Sequence, residues 1–406
     1  MTAAQAGMTI ASWALALPLT ALFAIFSIEI IAGLKKSRSV SDENDNAGNS
    51  PSRATILVPA HNEAGIIGTT ISALRSRIAD GIDILVVADN CTDDTASLAR
   101  AAGADVAERH DGSLRGKAYA LAYGRDRLAD DPPQCVIVMD ADCMLEPGSA
   151  ELLCETAMQA DAPVQATNLI RGDKAAPPMV QISNFAMLVK NLVRQRGMTR
   201  MGGAALLTGT GMAFPWKIFG EAPLANADLA EDLALGVTLT RSGSVPLFVE
   251  AAQVSSDAAA HEDTLVQRTR WEHGFVATAR RYALPLISSG LGKLSGSQIF
   301  LGLHLLVPPL ALLFALGGIT LAAILLLGAG GAGYGPVVVL GLIMSLAVIV
   351  TLLAWISYGR TVLTPGSLIR IPFYILWKIP VYLKLVGNRE TRWIRTRRDG
   401  EEAPDP

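Results

Sequence analysis

Charge is scarce in this chain. Only 17% of its 406 residues are Asp, Glu, Lys or Arg, while 50% are hydrophobic, a balance shifted towards membrane proteins. A net charge of -3 gives no polyelectrolyte signature, which argues against nucleic-acid partners. The four cysteines (Cys91, Cys135, Cys143 and Cys154) show no CxxC spacing, so neither a disulfide framework nor a zinc site is expected. No GxGxxG follows the first strand-like run and no GxxxxGK[ST] occurs, which removes a dinucleotide fingerprint and a P-loop. No internal repeat is evident. Between Lys293 and Arg360 there is no charged residue. That leaves nothing in the apolar region to couple transport, and disfavours a transporter.

What is present begins with an apolar run from Met8 to Leu34, broken only by Glu29. It exceeds the about 20 residues a helix needs to cross a bilayer. No Lys or Arg precedes it and it is too long for a signal-peptide core, so it reads as an anchor. Lys35, Lys36 and Arg38 follow directly, which predicts an N-terminus outside and a cytoplasmic C-terminal end. Residues 37–53 read as a linker. The uncharged region splits at Gly328–Pro336 into two expected spans, Ile299–Leu327 and Val337–Tyr358. Residues 369–386 carry Arg370, Lys378 and Lys384 among apolar residues and are expected to lie on the cytoplasmic leaflet. The organisation expected is an anchor over 1–36, the linker, a cytoplasmic domain over 54–290, two spans over 291–360, and an interfacial segment with a basic tail over 361–406. The expected location is an inner or plasma membrane.

The middle region alternates strand-like and helix-like stretches. Thr55–Pro59, Ile84–Ala88 and Val136–Met139 are short β-type runs. Asn62-Glu63, Thr92 or Asp93, and Pro147 supply helix starts after them. Such alternation predicts an α/β fold with a mainly parallel sheet, and ligands beyond the carboxyl ends of its strands. Polar residues gather at those ends: His61-Asn62-Glu63, Asp89-Asn90, and Asp140 with Asp142. Two carboxylates one residue apart offer the oxygen ligands that Mg²⁺ or Mn²⁺ prefers, usually shared with substrate phosphates. The alternative is a polar turn that caps the next helix.

Four further pieces carry chemistry. Lys117 opens a helical stretch, where a cation opposes the helix dipole unless an anion sits with it. Thr208-Gly209-Thr210-Gly211 would let a bulky acceptor approach the backbone, or forms a tight turn. Glu231 and Asp232 stand at a helix start, as first-turn acids commonly do, or as a general base for an acceptor hydroxyl. Gln267, Arg270 and Trp271 share one helix face. An amide, a guanidinium and an indole there can hold a pyrophosphate and stack on a sugar, although Trp and Arg also favour the membrane boundary.

Taken in order, Val58-Pro59-Ala60-His61-Asn62-Glu63, Asp89, Gly116-Lys117, Asp140-Ala141-Asp142, Thr208-Gly209-Thr210-Gly211, Glu231-Asp232 and Gln267…Arg270-Trp271 resemble the family 2 glycosyltransferases. The resemblance spans about residues 54–275 and favours the membrane-embedded branch with cellulose, chitin and hyaluronan synthases; ceramide glucosyltransferases are similar too. It implies a GT-A fold (Rossmann-like, mainly parallel) with helical transmembrane segments, a nucleotide-sugar donor, Mg²⁺ or Mn²⁺, and inversion at the sugar. It implies that Pro59, Asn62, Glu63, Asp89, Lys117 and Asp140 face the donor, that Asp142 holds the metal and that Asp232 is the base. Thr208, Gly209, Thr210, Gly211, Glu231, Gln267, Arg270 and Trp271 would serve the acceptor or diphosphate. The acceptor expected is a lipid or glycan, in glycolipid or exopolysaccharide synthesis and possible company of an envelope-biosynthesis complex. An inactive scaffold subunit of such a complex is the second reading.

Overall fold

The computed structural model describes residues 2–36, 53–225, 230–256 and 261–387. The expected linker, apart from residue 53, and the basic tail lie outside them. Eight strands form one sheet: β1 (Ala54–Ala60), β2 (Ile82–Asp89), β3 (Asp105–Arg109), β4 (Cys135–Val138), β5 (Cys143–Leu145), β6 (Val164–Ile170), β7 (Met212–Pro215) and β8 (Leu247–Ser256), in the order β3-β2-β1-β4-β7-β6-β8-β5. The first four in that order run parallel, β7 runs antiparallel to β4 and β6, and β8 pairs parallel with β6. The α/β expectation holds.

The sheet is buried on both faces, which is why its central strands read as unbroken apolar runs. Successive side chains point to opposite sides. Ile56, Val58, Ile84, Val86 and Ile137 pack on α2 (Ile67–Arg75), α3 (Thr95–Ala101) and α5 (Ser149–Ala160). Leu57, Leu85, Val87, Val136 and Val138 pack on the other side, against α4 (Lys117–Leu128) and α9 (Glu231–Ser242). Pro59 lies past the last β1–β4 pair, Leu57 with Val138, so its missing N–H breaks no ladder there.

The chain opens with α1 (Ala3–Leu34). After β6 come α6 (Pro178–Leu188), a π-turn at Val189–Arg194 and α7 (Gln195–Arg200), and α8 (Trp216–Glu221) follows β7. After β8 come α10 (His261–Lys293), α11 (Gly296–Leu306), α12 (Leu310–Leu327), α13 (Gly335–Ala354), α14 (Pro365–Leu368) and α15 (Ile371–Gly387). Among the described residues three helices are long and apolar enough to cross a membrane: Ala3–Leu34, Leu310–Ala332 and Gly335–Gly359. Glu29, the one charge in α1, is neutralised from outside the helix. Its carboxylate accepts from Arg194 Nε at 2.6 Å and lies 2.9 Å from His304 Nδ1.

One expected span needs correction. The apolar run from Ile299 is not a single helix: α11 stops before Val307-Pro308-Pro309, and the long helix starts at Leu310. Proline lacks the donor a helix interior needs and clashes with the preceding turn, which a hydropathy window does not register. Instead α11 folds back on α10. A Cβ on Gly302 would lie 2.8 Å from the Ala283 carbonyl oxygen, and one on Gly290 would lie 2.9 Å from Ile299 N. The break expected at Gly328–Pro336 is present: the helical path is interrupted at Gly331 (φ 104°) and Gly333 (φ 80°), and regular helix resumes at Gly335.

Candidate active site

The carboxyl ends of β1, β2 and β4 meet at one rim. After β4 the chain turns, with the Asp140 carbonyl accepting from Cys143 N at 3.1 Å, and enters β5. Asp140 and Asp142 therefore occupy a strand-to-strand turn and cap no helix. The Asp140 carboxylate accepts from Lys117 Nζ, and the same ammonium donates to the Gly209 carbonyl at 2.7 Å. Lys117 does open α4, behind Gly116 at φ 117°, so its anion is supplied by a residue of another strand end. Burial works against its charge. The carboxylates of Asp140, Glu231 and Asp232 outweigh that and hold its pKa above the usual lysine value. Burial, with the like charge of Asp142 beside it, raises the pKa of Asp140 even though Lys117 opposes the rise.

The loop Thr208–Gly211 is held from β6. Gln165 Oε1 accepts from Thr208 N at 2.9 Å, and its Nε2 donates to the Thr210 carbonyl at 3.0 Å. Asn168 Nδ2 adds a bond to Thr208 Oγ1 at 3.2 Å, and Thr210 Oγ1 accepts from Asp140 N at 3.2 Å. Gly209 has φ 82°, and a Cβ there would lie 3.0 Å from Lys117 Nζ and 3.2 Å from Asp232 Oδ2. Gly211 has φ 65°, and its Cβ would meet Val254 Cγ2 at 2.6 Å. Both positions need glycine, for conformation and for close approach. The first also shows that Lys117 and Asp232 converge on one backbone point.

Asp232 and Glu231 lie in the first turn of α9, and with Lys117 and Gly209 they line a small cleft. Burial pushes Glu231 up to about 7, the charge of Asp232 adds to the rise, and Lys117 opposes it. Between 4.5 and about 7 the folded chain binds a proton that the unfolded chain has released. This contribution to stability is fully present below pH 4.5 and is lost as pH rises through about 7. In thermal melts without donor or metal, stability is expected to fall across that window, and Glu231→Gln to flatten the fall. An unchanged slope in the variant would assign the effect elsewhere.

At the other end of the rim Asp89 is buried and accepts from Arg109 Nη1 at 2.6 Å and from Asn90 Nδ2 at 2.9 Å. Arg109 was not visible from the sequence, because β3 is a short strand of mixed composition with no motif. Gln165 was missed for a related reason: one amide in a strand carries no pattern. Asn62, at φ 54°, accepts from Thr92 N at 2.8 Å, and Glu63 N donates to Thr95 Oγ1 at 2.7 Å. Together with His61 Nδ1, 2.6 Å from the Asp89 carbonyl oxygen, these bonds join the loops after β1 and β2. The N-cap of α3 is Asp94, not Thr92 or Asp93, and makes no side-chain cap bond; Asp93, one residue earlier, accepts from Thr95 N at 3.1 Å.

Gln267, Arg270 and Trp271 all lie on α10. The Gln267 side chain falls outside the described residues, and Arg270 is half-buried. Trp271 faces a large cavity next to the membrane helices, with the Arg268 guanidinium 5.0 Å from its ring centre. Oxygen or sulfur atoms of Asp140, Asp142 and Cys143 lie within 4.8 Å of one another. Burial, with the charges of Asp142 and Asp140 beside it, holds the Cys143 thiol well above its ordinary pKa. A protonated soft ligand does not suit Mg²⁺ or Mn²⁺, whereas the two carboxylates do.

The family model for glycosyltransferase like family 2 matches residues 51–274, the stretch that holds this whole rim. The chain belongs to that family. Over 94% of its length the glycosyltransferase superposes on all of the mannosyltransferase PcManGT from Pyrobaculum calidifontis, solved with GDP-Man and Mn²⁺, at 15% identity and a TM-score of 0.55. It is also similar to glucosyl-3-phosphoglycerate synthase from Mycobacterium tuberculosis, solved with Mn²⁺, UDP and glucosyl-3-phosphoglycerate. There the identity is 19%, with 50% of this chain and 71% of that chain covered and a TM-score of 0.33. No curated protein sequence matches the chain. The fold of this glycosyltransferase is GT-A-like, with membrane-type helices attached.

Proposed function

We propose that this glycosyltransferase is a membrane-bound inverting enzyme that moves a sugar from a nucleoside diphosphate donor to a hydroxyl of a lipid or glycan acceptor. The observation that carries the reading is the convergence of Lys117, Asp140 and Asp232 around Gly209. A fixed cation and a free-edged carboxylate then flank one point of reaction. Asp232 takes the acceptor proton as the hydroxyl oxygen bonds the anomeric carbon, and the bond from that carbon to the diphosphate breaks. Lys117 meets the charge that develops on the departing diphosphate, a fixed electrostatic stabilisation. Asp89, in its pair with Arg109, Pro59 near the end of β1, and the following loop with Asn62 and Glu63 serve the nucleoside end. Thr208, Thr210 and Glu231 serve the acceptor side, and Arg270 meets the diphosphate.

Asp142 would hold Mg²⁺ or Mn²⁺, which supplies further charge stabilisation to the diphosphate. The Mn²⁺ and GDP-Man in complex with the mannosyltransferase PcManGT support a donor of this class, and a UDP-sugar is the donor we expect here. Chelation is expected to abolish transfer and added Mn²⁺ or Mg²⁺ to restore it. Asp142→Asn is expected to raise the half-saturating metal concentration by about tenfold, equal to ~1.4 kcal/mol of affinity. Unchanged metal dependence in the variant would remove Asp142 from this role. The positive residues after α1 support a cytoplasmic catalytic domain with the N-terminus outside, and the segment from Ile371 is read as interfacial. Membranes given labelled UDP- and GDP-sugars, with products identified by mass spectrometry, test the whole reading. Donor hydrolysis or binding without any glycosylated product would count against it.

A further inference from the structure

Away from the rim, a cavity of about 450 Å³ lies between the domain and the membrane helices. Most of its wall is apolar, supplied by residues such as Phe26, Phe185, Phe314 and Ile375 of α1, α6, α12 and α15. Such a surface suits hydrocarbon chains. One part of the wall is different. Arg268 is only 5% exposed, and of its nitrogens Nη2 alone is bonded, to Asn184 Oδ1 at 3.0 Å. Its Nε and Nη1 have no hydrogen-bond partner among the described residues. Lys190 lines the same cavity with its ammonium 5.7 Å from the centre of the Phe275 ring. Of the nearby acids, Glu29 is engaged by Arg194 and His304, while Glu272, on the same wall, accepts from Lys378 through Oε1 alone; its charge supports that of Arg268, but it makes no hydrogen bond to Arg268.

Burial pulls Arg268 down to about 10, so it stays charged at neutral pH. Lys190 is also pulled down, by burial first, while Asp232 opposes and Arg194 and Arg268 add to the fall. Lys190 thus feels both Arg268 and Asp232, which puts this end of the cavity on the side of the proposed base. A buried donor without a partner costs about 1–3 kcal/mol, more when charged. An anion between the two cations removes that cost; Glu272 supplies charge nearby but no hydrogen bond to Arg268 Nε or Nη1, and the rest of the wall is mostly apolar.

We propose that this cavity seats a lipid whose headgroup carries an anionic group, a phosphate or a carboxylate, held by Arg268 and Lys190 with its chains along the phenylalanines. This rests on the lipid-acceptor form of the proposed function and narrows it to acidic lipids. To test it, the full chain in neutral detergent is offered dioleoylphosphatidic acid, dioleoylglycerol or inorganic phosphate, and retained ligand is measured by native mass spectrometry. Phosphatidic acid is expected to be retained at least about tenfold more than the diacylglycerol. Arg268→Gln and Lys190→Gln should each cut that retention by about tenfold, the loss of one charged hydrogen bond. Arg280→Gln, an exposed charge on the same helix, should leave it unchanged.

Equal retention of the two lipids, or retention that neither cavity variant lowers, overturns the proposal. Retention of inorganic phosphate that equals that of the lipid overturns it in favour of a free anion. Binding of Mn²⁺ with UDP or GDP reports whether each variant is folded, and Lys190→Gln carries the test if Arg268→Gln is not. Because lipid retention needs no sugar transfer, a chain that keeps acidic lipid but never transfers a sugar overturns the proposed function alone.

Discussion

Asp232→Asn is expected to lower the rate of sugar transfer by about 10²–10⁴-fold, the usual contribution of a positioned general base. The amide keeps the shape of the side chain and can still accept from Leu233 N, as the carboxylate does at 2.8 Å. It cannot take a proton from an acceptor hydroxyl. The effect should fall on turnover and leave donor binding near normal, because Lys117 keeps Asp140 and the Gly209 carbonyl as partners. Glu231 is the control. It shares the first turn of α9 with Asp232, and its pKa is pushed up to about 7, so it is a competing candidate for the base. If Glu231→Gln removes transfer while Asp232→Asn retains it, the two roles are exchanged. If neither variant is impaired, the acceptor proton leaves by another route.

Much of this site was legible in the sequence because its parts lie at ends of strands that are buried on both faces. A strand such as Val136-Ile137-Val138 has no polar residue to spare, so Asp140 and Asp142 directly after it stand out. The same logic exposed Asp89 at the end of β2 and Asn62 after β1. Residues whose role depends on a partner far along the chain gave no such signal. Gln165 holds Thr208 and Thr210 from more than forty positions away, and Arg109 meets Asp89 from the end of an inconspicuous strand. Trp271 was legible as a residue facing either a sugar or a membrane boundary, and its position on the apolar cavity next to Arg268 agrees with the boundary. The early end of α11 was hidden for a third reason. Hydropathy adds up along Ile299–Leu327 regardless of backbone donors, and only Pro308-Pro309 tells where helix geometry fails.

The second large effect is on stability, at the joint between the catalytic domain and the membrane helices. Arg196→Met is expected to destabilise the protein by about 3–5 kcal/mol, the cost of removing one member of a buried ion pair. Arg196 is 2% exposed and its guanidinium has no slack. Nε and Nη2 donate to the two oxygens of Glu250 at 2.8 and 2.7 Å, while Nη1 donates to the Gly33 carbonyl at 2.6 Å and to the Tyr358 hydroxyl at 2.9 Å. One side chain thereby ties β8 of the catalytic sheet to the end of α1 and to the helix that follows α13. A methionine would fill the volume but withdraw both guanidinium bonds from Glu250, whose side chain is only 14% exposed, and the donor from the carbonyl of Gly33. The backbones cannot close the gap, since α1 and α7 already touch: a Cβ on Gly197 would lie 1.8 Å from the Glu29 carbonyl oxygen. Denaturation in detergent should show a lower midpoint for Arg196→Met. The double variant with Glu250→Gln should lose less than the sum of the two single losses, because each single variant already breaks the same ion pair. A strictly additive pair would mean that Arg196 acts through Gly33 and Tyr358 alone, and a midpoint equal to that of the unmodified chain would mean that this joint does not limit stability.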